Sequence, residues 1–97
     1  ILRFKFNNLC NNNLGAEDYI NISKISSHIF IEEIPIFNDN NSNQQLRFII
    51  LIDILYEKKI ALSLSLESDL NSLGSSRKHL QTFKRTTSRL TELTKKT

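Results

Sequence analysis

The segment from Gln44 to Lys58 limits the fold more than any other stretch of the chain. Phe48, Ile52, Leu55 and Tyr56 recur at helical spacing and share one face, while Ile50 and Ile54 form a second stripe well around the same cylinder. The run Phe48 to Ile52 could be a strand if it stood alone. The pattern continues to Lys58, however, and that length predicts a helix. Two apolar stripes require burial on more than one side. A free-standing module of 97 residues rarely needs such a helix. One wedged between a sheet and further protein does.

The flanking segments fix what the helix is wedged against. Arg3 to Phe6 alternates polar and apolar residues and reads as a short strand, followed by a polar turn region at Asn7, Asn8 and Asn11 to Asn13. Gly15-Ala16-Glu17-Asp18 offers a helix start, with acids placed to complement the N-terminal dipole, and Tyr19, Ile22 and Ile25 follow at helical spacing. His28 to Glu33 reads as a second strand, which Pro35 ends; Asn38 to Asn43 is a polar loop. Ile60 to Leu66 is a third strand, with Leu62, Leu64 and Leu66 on one side and Ala61, Ser63 and Ser65 on the other. Glu67 to Arg77 reads as a loop, and Leu80 to Lys95 as a last helix with Phe83 and Leu90 inward and Arg85, Arg89 and Glu92 roughly opposite. The expected class is α/β: a partial parallel sheet of the three-layer type, ordered β-α-β-α-β-α, with right-handed crossovers. Three parallel strands alone leave two raw edges and an uncovered face.

Charge and cysteine content narrow the classes. The net charge is a mild +3, but from Arg77 onward seven basic residues face Glu92 alone. Such a tail can meet phosphates, acidic protein or acidic lipid, or simply be a solvated helix face. Cys10 is the only cysteine, which excludes an internal disulfide and fits a small buried side chain in a reducing compartment such as cytosol. No stretch has the length and purity of a membrane span, and no leader with a cleavage site opens the sequence. The chain contains no methionine, even at position 1, so it is expected to be a fragment or a processed product.

Few residue clusters could carry chemistry. His28 to Glu33 is an apolar strand tipped with acids, the pattern of a magnesium-holding strand in a phosphate-loop ATPase. Neither glycine precedes a Lys-Ser/Thr pair, so no phosphate loop accompanies it. Ser65 and Glu67 stand at the carboxyl end of the third strand, where open α/β sheets bind ligands; Ser63 and Ser65 could equally be small residues under a packed helix. His28 and His79 lack metal-ligand spacing and a serine or cysteine partner, and the aromatics do not interleave with basic residues as in an RNA-binding sheet. Arg85 and Arg89 are the sharper candidates. A guanidinium forks two hydrogen bonds onto phosphate oxygens and keeps its charge. The plain alternative is a local Arg89–Glu92 link with Arg85 in water.

Several segments together resemble one family. They are Phe4-Lys5-Phe6-Asn7-Asn8-Leu9-Cys10, Leu14 to Tyr19, the strand Ile29 to Pro35, the helix Arg47 to Tyr56, and the closing Phe83-x-Arg85-Thr86-x-Ser88-Arg89-Leu90. In this order they are similar to the C-terminal part of the ZapE-type ATPases and their mitochondrial, Afg-like relatives. The sequence departs from the family pattern at Leu46-Arg47 in place of Arg-Arg, at Ser65-Leu66-Glu67 in place of Ser-Ala-Glu, and in the less aromatic Leu80-Gln81-Thr82.

The resemblance implies that residues 1–97 are the C-terminal portion of an AAA-type phosphate-loop ATPase domain whose ATP- and magnesium-binding motifs lie upstream. It implies ATP and Mg for the full-length protein, none bound by this segment alone, and Arg85 or Arg89 as an arginine finger or phosphate contact. The expected partners are the remainder of its own domain, further copies of itself, and FtsZ or inner-membrane proteins, with nucleic acid disfavoured. The expected location is cytoplasmic and peripheral to the inner membrane, or mitochondrial in a eukaryote. Two other readings stay open: a small basic adaptor using Lys84, Arg85, Arg89, Lys95 and Lys96 on an acidic partner, and the remnant of a split gene.

Overall fold

The computed structural model describes residues 2–10, 14–66 and 73–94. Three strands, β1 (Leu2–Lys5), β2 (His28–Ile34) and β3 (Ala61–Leu66), form one parallel sheet in the order β1-β2-β3. Helices α1 (Phe6–Cys10), α2 (Ala16–Ile25), α3 (Ser42–Glu57) and α4 (Leu80–Thr94) complete the α/β architecture. Consecutive neighbouring strands joined by right-handed crossovers place α2 and α3 on the same side of the sheet. Helix α3 packs against α1, α2 and α4, so the helices form one layer and the strands a second.

The pleat sorts the strand residues. Leu2, Ile29 and Leu62 lie in register, as do Phe4, Ile31 and Leu64, and these side chains face the helices. The opposite face carries Arg3, Phe30 and Ser63 in register. There Arg3 stacks on the Phe30 ring at 4.6 Å and lies 3.7 Å from Glu32. The alternation of β2 fails once. A register shift between Ile31 and Ile34, with Glu33 at φ 61°, inserts one residue and returns Ile34 to the core. The two acids at the strand tip are left outside, Glu33 3.5 Å from Lys5.

Helix α3 contains four isoleucines, which have modest helix propensity, and forms because burial overrides that preference. Phe48, Ile49, Leu51, Ile52 and Leu55 are buried, and Ile50 and Ile54 pack half-buried against the same core. The buried face is thus wider than the two expected stripes. The helix ends in a Schellman arrangement: Ile60 N–H donates to Leu55 O at 2.9 Å and Lys59 N–H to Tyr56 O at 3.2 Å, with Lys59 at φ 58°. Helix α2 starts at Gly15, whose N–H is accepted by Asp18 Oδ2 at 2.9 Å.

The first strand ends one residue earlier than expected, and Asn7 and Asn8 lie in a short helix, not a turn. The cause is burial. Phe6, Leu9 and Cys10 fall on one side of α1 and enter the core. Cys10 is the buried small side chain anticipated, and burial pushes its thiol up to about 12. Beside it the buried Tyr19 donates its hydroxyl to Leu9 O at 2.6 Å. Near the carboxyl edge of the sheet, Phe37 meets Phe6, Phe48 and Phe83 with ring centroids 5.3–5.6 Å apart.

The connection into α4 is strapped to this cluster. Phe37 N–H donates to Leu73 O at 2.6 Å, and Phe37 pairs with Gly74 in a parallel bridge. Gly74 adopts φ +70°, and a Cβ there would sit 2.7 Å from Phe37 O, so both conformation and space demand glycine. The buried Gln45 spends both ends of its amide on the strap, donating to Ser75 Oγ at 2.7 Å and accepting from Ser76 N–H at 2.9 Å. Among the described residues no helix is long and apolar enough to cross a membrane.

Candidate functional site

Helix α4 buries Phe83, Thr86 and Leu90 at i, i+3 and i+7. That face fixes the direction of the neighbouring arginines. Arg85 and Arg89, one turn apart, both reach the same carboxylate on α3. Arg89 Nη1 donates to Asp53 Oδ1 at 2.5 Å and Arg85 Nη2 to Asp53 Oδ2 at 3.3 Å. The Arg89 guanidinium also lies 4.7 Å from the centre of the Tyr56 ring. Tyr56 donates its hydroxyl to Glu92 Oε2 at 2.7 Å, and that carboxylate holds the phenol above its ordinary ionisation. Arg85, Arg89 and Glu92 therefore turn toward α3 and not away from the core. Glu92 takes Tyr56 as its partner, and the expected Arg89–Glu92 link is replaced by Arg89–Asp53.

One carboxylate between two guanidinium groups leaves a net positive charge in an open groove lined by Asp53, Tyr56, Glu57, Lys59, Arg85 and Arg89. The arginines are not equivalent. The Arg89 side chain is 27% exposed and held by a carboxylate and a ring; that of Arg85 is 56% exposed and held by one longer contact. Exposed pairs of the Arg85 kind contribute about 0–1 kcal/mol, so Arg85 can exchange Asp53 for another oxyanion at little cost. Both sit midway along α4 on the helical layer, remote from the carboxyl ends of the strands.

The other sequence candidates fall elsewhere. Glu32 and Glu33 pair with Arg3 and Lys5 at the sheet surface. Ser65 is half-buried at the end of β3, and Glu67, Lys95 and Lys96 lie outside the described residues. His28 does have a serine partner: its Nε2 is 2.9 Å from Ser63 Oγ across two strands. Ser63 accordingly lies on the face away from the helices, where parallel register sets it beside β2; a separation of 35 positions hid the pair in the sequence. Among the described residues no three His, Cys, Asp or Glu side chains gather as a metal site. Asp53, which joins the two arginines, is only faintly marked in the sequence. The signal available was a single acid in an apolar helix with two later arginines spaced for one face.

Comparisons with known proteins agree with the resemblance read from the motifs. The family model described as AFG1-like ATPase matches residues 1–97. Over 68 residues the chain is 31% identical to "Lactation elevated protein 1 homolog B" of Danio rerio, covering 70% of this chain and 14% of that protein. Over 92 residues it is 28% identical to "Cell division protein ZapE" of Escherichia coli K12, covering 95% of this chain and 24% of that one; the O157:H7 protein gives the same values. The chain thus spans about a seventh to a quarter of the length of these curated relatives. No solved structure matches it. With the match running from the first residue to the last, over an α/β fold that carries the motifs in order, the chain belongs to the AFG1-like ATPase family.

Proposed function

We propose that this chain is the C-terminal part of a ZapE-like ATP-hydrolysing protein and that Arg85 supplies a phosphate contact to it. The observation that carries this reading is the shared carboxylate. Asp53 holds Arg89 firmly and Arg85 loosely, so the half-exposed Arg85 guanidinium can leave its single contact on α3 for a phosphoryl oxygen. An arginine so placed stabilises charge on a transferred phosphoryl group when another part of the protein, or another copy, presents the nucleotide. Arg89 is a positioning residue, holding Asp53 and Tyr56. ATP and magnesium belong to the full-length protein, and the chain alone is expected to hydrolyse nothing. A role in cell division, as the name of one relative states, and contacts with FtsZ or inner-membrane proteins belong to the same proposal.

In the longer protein, Arg85→Ala should lower ATP turnover by about 100-fold or more while nucleotide binding is retained. Arg89→Ala should lower both turnover and the thermal midpoint. Unchanged turnover in Arg85→Ala would remove the phosphate contact.

A further inference from the structure

The turn that closes α3 carries a residue the turn itself does not call for. Lys59 occupies the left-handed position of the Schellman arrangement at φ 58°, where glycine is the usual occupant and a side chain lowers stability. A lysine does complement the dipole at a helix C-terminus, but Lys58 already stands there in right-handed backbone. Non-glycine residues held in the left-handed conformation concentrate at functional sites. Lys59 is exposed and has no ion pair among the described residues. It lines the Asp53 groove together with Arg85 and Arg89, and Lys58 is outside that lining. Three cations in the groove stand against the two carboxylates of Asp53 and Glu57.

The cations come from both walls. Arg85 reaches in from α4 beside Asp53, and Lys59 stands about 9 Å further along α3, at roughly 1.5 Å of rise per residue. That spacing suits an anion whose charges are spread along a chain better than one gathered on a single tetrahedral group. We infer, building on the Arg85 contact proposed above, that Lys59 is a second binding residue of this groove and takes the phosphoryl group next to the one that Arg85 contacts. The planar Arg85 guanidinium forks onto the oxygens of one phosphoryl group. Lys59, a compact charge on a flexible stem, follows the rest of the chain. The groove therefore prefers a polyphosphate to a monophosphate.

The test is isothermal titration of the full chain at low salt with inorganic tripolyphosphate and, separately, inorganic phosphate. Tripolyphosphate is expected to bind at about 0.1–1 mM, and phosphate about tenfold more weakly. Lys59→Gly should weaken tripolyphosphate by about fivefold or more, with the thermal midpoint held or raised because glycine fits the left-handed turn. Lys59→Asn, which tolerates the same backbone, should repeat the loss. Lys58→Ala removes an equal charge one residue away and should leave binding alone. No saturable tripolyphosphate binding would overturn the inference. So would equal weakening by Lys59→Gly and Lys58→Ala, or equal binding of phosphate. Weakening by Arg85→Ala but not by Lys59→Gly would overturn it and leave the Arg85 contact standing. Indifference to Arg85→Ala would remove both.

Discussion

Near the carboxyl edge of the sheet, α3 and the segment leading into α4 meet through tilted and edge-on phenylalanine rings and an enclosed Gln45 amide. Two to three turns along, the same helices meet through one carboxylate, two guanidinium groups and a phenol. The helices run parallel, so this is one seam with two chemistries. The aromatic end is dry and has one arrangement. The ionic end is half-exposed, and its partners can be exchanged. Stability is therefore expected to reside at the first end and responsiveness at the second.

The largest effect that could break this contrast is Phe48→Ala. It should cost about 3–5 kcal/mol, a large part of the stability of a domain this size, read as a lower urea midpoint at any salt concentration. Gly74→Ala follows at about 1–3 kcal/mol, because an added Cβ collides with Phe37 O in a left-handed backbone. Asp53→Asn, at the ionic end, should cost only about 1 kcal/mol, and the loss should fade in about 1 M salt. A loss as large as that of Phe48→Ala and insensitive to salt would show that the two ends are alike.

The smallest effect is spectroscopic. Burial raises the ionisation of Tyr19, and the hydrogen bond to Glu92 raises that of Tyr56. For a group whose folded value lies above its unfolded one, the contribution to stability is present below the unfolded value and is lost as pH climbs through the folded one. Ultraviolet titration should therefore find neither tyrosine ionising at the ordinary 10.0 until the chain is denatured. Tyr56→Phe should remove one of the two late transitions. A tyrosine that ionises at the ordinary value in the folded chain would dissolve the Tyr56–Glu92 contact.

What the sequence disclosed divides along similar lines. The alternation of strands and helices, the inward leucines of β3 and the inward Phe83 and Leu90 were legible, because periodicity records which side of an element is dry. Helix α1 was not, since five residues among asparagines are too short to show a period. Neither were Asp53, the His28–Ser63 pair and the Gln45 amide. Each joins residues 30 or more apart whose meeting depends on how elements pack, and a polar residue in an apolar helix gives no sign of which partner it has found.

The hydrogen bond from Phe37 N–H to Leu73 O spans the whole of α3 and β3 in the chain, yet it is a single amide between two otherwise irregular segments. In isotope-exchange terms that proton is a built-in gauge. It is freed only when the strap lifts from the aromatic cluster, so its exchange rate reads the opening of the α4 module separately from the unfolding of the sheet.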